Sequence, residues 1–195
     1  MEKAAAGVPG TVTSPEQIKA RRKSEVWGWI RFVIYLGVAY LLIMHMIGLS
    51  RVSGHSMQPT LNNRDILLIN KLSIYTGRPH YGDVVVIQSH KLSYELIKRV
   101  IGVEGDRIAI QDGIVYRNGQ SLPELYTAGV PDDMPEVLVG KDEVFVMGDN
   151  RTPGESLDSR SSELGLVEKK EIKGYALMKL IPWSAIAKPL KGPLE

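Results

Sequence analysis

Residues 96–103 read LIKRVIGV, and this stretch decides how the body of the chain folds. Its apolar, mostly β-branched composition predicts a β-strand, although two cations, Lys98 and Arg99, interrupt it. Successive side chains of a strand point to opposite faces, so one cation faces the core whichever face is inward. Burial disfavours the ammonium form and lowers a lysine pKa. Read alone, the stretch favours a plainer interpretation, a pair of exposed cations on an edge strand.

Short apolar or alternating runs on both sides of this strand predict a β-rich body. Gly, Asn, Asp and Pro separate the runs, and Asn118-Gly119 between strand-like flanks predicts a tight hairpin. The predicted strands are residues 65–70, 83–88, 96–103, 107–110, 143–147 and 175–181. Residues 123–141, with three prolines and a mixed acidic composition, are predicted to form an inserted loop.

An apolar stretch precedes the body: residues 32–49 contain 18 residues without a formal charge. As a helix they would be roughly 27 Å long, close to the hydrocarbon thickness of a bilayer. A cleaved signal peptide would have a shorter apolar run and a small-x-small site, and so apolar a core helix is rare in a body of this size. We therefore predict a transmembrane anchor at residues 30–49, between a tail at 1–29 and the body at 50–195.

Charge gives the predicted orientation of this anchor. Residues 1–31 carry six basic and three acidic side chains, whereas the rest of the chain is close to neutral. The positive-inside rule places the N-terminus in the cytoplasm and the body on the outer face of the cell membrane. The formal net charge of +2 provides no bulk attraction for nucleic acid, so no nucleic-acid partner is predicted. The predicted partner of the apolar stretch is the lipid bilayer.

Several classes of site are excluded by residue usage. The chain has no cysteine, which excludes a disulfide scaffold, a cysteine nucleophile, a cysteine-ligated zinc and an iron–sulfur cluster. Its four histidines, at positions 45, 55, 80 and 90, have no close metal-ligand spacing. We therefore predict no metal site.

Ser56 is the first candidate for chemistry and lies in the segment GHSMQPTL, residues 54–61. A serine hydroxyl is a poor nucleophile until a base removes its proton. His55 is a poor base for Ser56, because adjacent side chains of an extended segment point apart. A neutral Lys98 amine could take the proton instead. On residue type alone the segment is typical of a surface turn.

A second polar segment, residues 148–160, follows a predicted strand and contains GDNR and SLDSR. Its two Asp and two Arg residues can form ion pairs that brace a loop, and a Ser hydroxyl could orient an amine. Taken alone, this segment is more typical of a salt-bridged polar turn.

Together these segments resemble the type I signal peptidases, membrane-bound Ser/Lys proteases that remove signal peptides from secretory preproteins. The resemblance covers nearly the whole chain and is closest to the compact, single-anchor Gram-positive type. It rests on the order of the anchor, SMQPTL at 56–61, YGDVV at 81–85, KRVIG at 98–102, GD at 105–106, GDNR at 148–151 and DSR at 158–160.

The resemblance implies a set of antiparallel β-sheets and a serine endopeptidase that cleaves after small residues in an A-x-A pattern. It implies Ser56 as nucleophile and Lys98 as general base, with the Ser56 backbone N–H in the oxyanion hole. Ser156 matches a serine that hydrogen-bonds the lysine amine, and Met57 matches a residue of the substrate groove. The residues that match the ion pairs bracing the catalytic core are Arg99, Asp149, Asp158 and Arg160.

The chain departs from the family pattern at several positions. Four residues separate Arg151 from Ser156, where the family usually has two. Leu96 stands where a Tyr is common, and Glu104 replaces the usual Pro before Gly105. Gly54 stands where double-anchored relatives have a Ser that serves as a second oxyanion donor.

Two other interpretations use the same residues. Self-cleaving SOS-type repressors have a Ser/Lys pair, but they need a helix-turn-helix domain where this chain has a tail and an apolar stretch. A non-catalytic, membrane-anchored β-rich binding or assembly protein with a degenerate dyad is the alternative from another class.

Overall fold

The computed structural model describes residues 15–187, with the side chains of residues 25–75 and 77–187. Residues 1–14 of the predicted tail, and the side chains of the basic residues between positions 19 and 23, lie outside the described part. The chain divides into two compact units, Met1–Met44 and His45–Glu195.

The N-terminal unit is built on one long helix, α1 (Pro15–Met46). Its segment Glu25–Met46 has 22 residues and is long and apolar enough to cross a membrane. Apolar side chains are exposed all around this segment, as expected of a helix whose environment is itself apolar.

The second unit is mostly β-structure. It contains a short helix, α2 (Ser73–Thr76), between its second and third strands. Its strands are β1 (Ile47–Arg51), β2 (Ile66–Asn70), β3 (Val84–Ile87), β4 (Leu96–Val103), β5 (Arg107–Gln111), β6 (Ile114–Arg117), β7 (Gln120–Ser121), β8 (Met134–Leu138), β9 (Glu143–Met147), β10 (Val167–Glu168), β11 (Ile172–Ile181) and β12 (Ser184–Ala185).

These strands form two antiparallel sheets among the described residues. The larger has the order β1-β2-β11-β3-β4-β9-β10, with β12 on β11, and the smaller has the order β7-β6-β5-β8. Asn118 and Gly119 adopt positive φ angles of 54° and 77° between β6 and β7, as the predicted hairpin requires. The predicted mainly β, antiparallel fold is confirmed.

Strand β4 lies inside the larger sheet, between β3 and β9. Leu96 and Val100 pack into one apolar cluster. Ile97 and Ile101, which alternate with them along the strand, pack into two other apolar clusters. Both faces are therefore covered. This is why Lys98 and Arg99 are both buried, where alternation alone required only one of them to be.

Helix α1 ends at Met46, three residues before the end of the predicted anchor at residue 49. Ile47–Arg51 instead forms β1, which pairs antiparallel with β2. The Met46 carbonyl, at the helix end, accepts a hydrogen bond from the Lys71 backbone N–H. Apolar side chains suit both a membrane helix and a strand, so composition does not mark the point where one ends.

The prediction that residues 123–141 form a loop is wrong for Met134–Leu138, which is strand β8 and pairs with β5. Pro135 is tolerated there because β8 is an edge strand of the smaller sheet. Acidic residues and Pro135 interrupt the apolar pattern by which a strand is recognised in a sequence, so β8 was not predicted.

Candidate active site

Ser56 and Lys98 meet although they are 42 residues apart in the chain: Lys98 Nζ lies 2.7 Å from Ser56 Oγ, within hydrogen-bonding distance. Lys98 projects from the interior strand β4, opposite Val85 on β3. Ser56 lies in the turn that follows β1, after Gly54, whose φ of 96° favours glycine. The rigid strand therefore presents the amine, and the turn presents the hydroxyl.

The environment of Lys98 favours its neutral form. The residue is only 2% exposed, and burial lowers the pKa of its amine from 10.5 to about 8. The Asp158 and Asp149 carboxylates oppose this shift and Arg160 adds to it, but burial has the largest effect. At pH 8 about half of the Lys98 amine is uncharged, compared with about 0.3% for a lysine of pKa 10.5.

The second cation of β4, Arg99, forms a buried two-pronged ion pair with Asp149. Arg99 Nε and Nη2 donate to the two Asp149 carboxylate oxygens at 2.8 and 2.7 Å. Arg99 Nη1 also donates to the Gly82 and Ala187 carbonyls. Such geometry compensates for the removal of the guanidinium from water and ties β4 to the segment that follows β9.

Asp158 and Arg160 form another two-pronged pair close to the dyad. Arg160 Nε and Nη2 each donate to an Asp158 oxygen at 2.8 Å. Asp158 Oδ2 also accepts a hydrogen bond of 3.1 Å from the Gly148 backbone N–H. Burial raises the pKa of the Asp158 carboxyl, but these donors together lower it by more than burial raises it. The net shift of the pKa is therefore downward.

Ser156 lies near the Ser56 backbone but does not make the hydrogen bond to Lys98 that the resemblance implied. Its hydroxyl is buried and has no partner of good geometry among the described residues, although its proximity lowers the pKa of Asp158. A Cβ placed on Gly148 would lie 2.3 Å from both Ser156 Oγ and the Ser56 carbonyl oxygen. Only glycine fits between these two serines.

A cavity of about 340 Å³ is lined by both Ser56 and Lys98. Its lining also includes Met57, which is buried, and Leu96 and Ile97 of β4. A cavity of about 420 Å³ adjoins Ser156 and Arg160 but is lined by neither Ser56 nor Lys98. Among the described residues, no group of three His, Cys, Asp or Glu side chains could hold a metal ion.

Sequence reasoning missed a buried ion pair between Glu124 and Arg151. Both Arg151 Nη atoms donate to the Glu124 carboxylate, and the exposed fractions of the two side chains are 1% and 11%. Arg151 was visible within the GDNR segment. No local pattern could identify its partner, however, because Glu124 lies 27 residues away in a segment predicted to be a loop.

Comparison with known proteins gives a consistent set of relatives. Residues 26–181 match the family described as "Signal peptidase, peptidase S26". The chain is 34% identical over 178 residues to Signal peptidase I P of Bacillus subtilis subsp. natto, which covers 85% of this chain and 95% of the relative. It is 35% identical over 162 residues to the probable signal peptidase I-1 of Synechocystis sp., covering 78% and 80% of the two chains.

A similar solved structure is the crystal structure of a signal peptidase I from Enterococcus faecalis V583. It is 26% identical to this chain and covers 50% of it and 96% of the solved chain, with a TM-score of 0.44.

Proposed function

This chain belongs to the signal peptidase family, peptidase S26, and we propose that it is a serine endopeptidase that removes signal peptides by means of a Ser56/Lys98 dyad. The observation that carries the proposal is the 2.7 Å approach of a buried lysine amine, of pKa about 8, to a serine hydroxyl. An exposed lysine would be almost entirely protonated at the same pH and could not accept a proton from the serine.

The proposed reaction has two halves, acylation and deacylation, and Lys98 transfers protons in both. Neutral Lys98 removes the Ser56 proton as Oγ attacks the scissile carbonyl carbon, and the resulting ammonium protonates the leaving amine as the C–N bond breaks. Lys98 then takes a proton from water as the water attacks the Ser56 ester, and returns it to Ser56 Oγ as the bond between Oγ and the acyl carbon breaks and the acyl group leaves as an acid. The Ser56 backbone N–H would stabilise the oxyanion, and no metal or organic cofactor is required.

The proposed substrate is an extended preprotein segment with small side chains at the −1 and −3 positions. The lining of the cavity beside Ser56 and Lys98 includes Val52, Met57, Leu96 and Ile97, against which small apolar side chains can pack. An extended substrate would pair as an additional β-strand with an edge of the larger sheet. Its backbone hydrogen bonds would supply affinity, and the pockets for its −1 and −3 side chains would supply selectivity.

The proposed setting is the cell membrane, with α1 as a single-pass anchor, the N-terminus in the cytoplasm and the body outside. Because the chain has no native cysteine, single-cysteine labelling can test this orientation directly. Tyr75, 85% exposed on the body, is a suitable position. Tyr75→Cys should react with a membrane-impermeant thiol reagent on intact cells, and reaction only after lysis would overturn the orientation.

The test of the catalytic proposal is cleavage of a fluorogenic peptide containing Ala-x-Ala by the full-length chain in detergent. Ser56→Ala and Lys98→Met should each lower kcat by about 10³-fold or more. Matched controls are Ser121→Ala, which changes an exposed serine of β7, and Lys173→Met, which changes an exposed lysine of β11. Full cleavage by Ser56→Ala would overturn the dyad, and no cleavage by the parent chain would favour the non-catalytic binding or assembly protein instead.

A further inference from the structure

Residues 124–128, here called the clamp segment, hold the turn at residues 148–151 from one side. The Ala128 N–H donates to the Asp149 carbonyl at 3.0 Å, and the Arg151 N–H donates to the Ala128 carbonyl at 2.7 Å. Ala128 thus forms an isolated parallel bridge with Asn150. These contacts join a segment far from Ser56 in sequence to the turn that carries Asp149.

The 148–151 turn in turn holds the nucleophile segment. The Asn150 N–H donates to the Ser56 carbonyl at 3.0 Å, and Gly148 packs directly against the same carbonyl oxygen. The position of the Ser56 backbone, and hence the distance from its hydroxyl to Lys98, depends on the shape of this turn.

The Arg151 side chain connects the two ends of the 148–151 turn by a hydrogen bond. Its Nε donates to the Gly148 carbonyl at 2.8 Å, while its own carbonyl accepts from Arg160 Nη1 at 3.2 Å. The remaining donors of its guanidinium, Nη1 and Nη2, are both directed at Glu124. The orientation of this buried cation is therefore fixed at one end by Gly148 and at the other by Glu124.

The Glu124 carboxylate is held in place by Tyr126, two residues further along the clamp segment, so it cannot simply move with Arg151. The Tyr126 hydroxyl donates to Glu124 Oε1 at 3.0 Å, and burial raises the pKa of that hydroxyl far above its ordinary value, so it remains a donor. The Tyr126 ring lies 4.2 Å from the Arg99 guanidinium carbon, and its carbonyl accepts a hydrogen bond from the Thr60 hydroxyl. The clamp segment thus contacts both the strand that carries Lys98 and the loop that carries Ser56.

We propose that Glu124 is a positioning residue of the peptidase reaction, which sets the place of Ser56 relative to Lys98 through Arg151 and the 148–151 turn. This inference rests on the proposed function for its kinetic expression and on the described contacts for its geometry. A misplacement of about 1 Å at a reacting group lowers rates by about 10²-fold. Loss of the Glu124 charge should act in this way, because it leaves Arg151 buried and unpaired.

The kinetic test compares Glu124→Gln with Glu136→Gln in the full-length chain in detergent. Glu136 is a matched control because it also pairs with an arginine, Arg107, but lies on the surface, in strand β8. Glu124→Gln should lower kcat by about 10²-fold with little change in KM, whereas Glu136→Gln should leave both unchanged. Unchanged kcat in folded Glu124→Gln would overturn the proposal.

Two further readouts separate positioning from general damage. If Glu124 acts through Arg151, Glu124→Gln should add nothing to the loss already caused by Arg151→Met, and full additivity would contradict the proposed route. The rising limb of the pH–rate profile should stay in place, because Glu124 is not among the groups that determine the Lys98 pKa. A displaced limb would show that Glu124 acts on the base rather than on the position of the nucleophile.

Amide hydrogen exchange tests the geometry without requiring any activity. Exchange in peptides covering residues 56–61 and 148–151 should be faster in Glu124→Gln than in the parent and unchanged in Glu136→Gln. If the parent cleaved no Ala-x-Ala peptide, the proposed function would fail while this measurement still decided the clamp. Should Glu124→Gln not fold, as judged by circular dichroism, Glu124→Asp would serve for the same readouts, and unaltered exchange in it would overturn the clamp.

Discussion

Two arginine–carboxylate pairs of almost identical length lie in the two sheets of the body. Arg99 and Asp149 approach to 2.7 Å in the larger sheet with both side chains fully buried. Arg107 and Glu136 approach to 2.8 Å across β5 and β8 of the smaller sheet, with exposed fractions of 58% and 50%. Distance alone does not separate them, but solvent does: water screens the second pair, whereas the first must satisfy every polar group internally.

The difference in exposure between the two pairs shows where the body buries charged side chains in its core. The buried pair lies next to Lys98 on β4, and the pairs of Asp158 with Arg160 and of Glu124 with Arg151 surround the same site. The smaller sheet places its buried Asp106 beside Arg117 but is otherwise charged at its surface. Natural proteins rarely bury so many charges without a functional reason, and here they frame the proposed dyad.

The largest expected effect is the loss of the buried pair. Asp149→Asn should lower the free energy of unfolding by about 3–5 kcal/mol, because it leaves the Arg99 cation buried without a compensating charge. Urea unfolding followed by circular dichroism measures this change. Replacement of both partners by apolar residues, Arg99→Met with Asp149→Leu, should recover most of the loss. A double variant no more stable than Asp149→Asn would contradict this explanation.

Lys98→Met should stabilise the fold while it abolishes cleavage, with a gain of up to about 3 kcal/mol at neutral pH. The folded pKa of Lys98, about 8, lies below the unfolded value of 10.5, so the parent is penalised most below pH 8. The parent regains stability as the pH rises from 8 to 10.5, and the advantage of Lys98→Met should shrink over that interval. Unfolding titrations at pH 7, 9 and 10.5 test this, and an advantage that did not change with pH would speak against burial as the cause.

Gly148→Ala adds one methyl group where the added carbon would lie 2.3 Å from Ser156 Oγ and from the Ser56 carbonyl oxygen. The backbone carbonyl has to move, so we expect a loss of about 10²-fold in kcat and about 1–3 kcal/mol in stability. Gly37→Ala in α1 is the control, since a methyl group there contacts nothing within 4 Å. Equal kinetics for the two variants would show that the serine segments yield easily.

The smallest effect is expected from the exposed pair of the smaller sheet. Arg107→Gln should change the free energy of unfolding by less than about 1 kcal/mol and leave cleavage unaltered, because water solvates the remaining Glu136. Urea unfolding at low and high salt measures the effect. A change as large as that of Asp149→Asn would remove the distinction between the two sheets.

The sequence predicted the regular strands more successfully than it predicted the contacts around Ser56 and Lys98, and the catalytic roles of these two residues stay a prediction. Residues 96–103 were assigned at both ends as the structure has them, because a long apolar run leaves few alternatives. Strand β1 was merged with the anchor since both are apolar, and β8 was hidden by Pro135 and acidic neighbours. The pairing of Glu124 with Arg151 and the isolation of the Ser156 hydroxyl depend on tertiary placement, which no local spacing encodes.

The pH dependence of kcat/KM tests the central claim, that burial on β4 makes Lys98 a base for Ser56. For the full-length chain and an Ala-x-Ala peptide, we expect a rising limb with an apparent pKa of about 8 and a level region above it. A limb centred near 10.5, as for a solvated lysine, or a profile without a rising limb would contradict it.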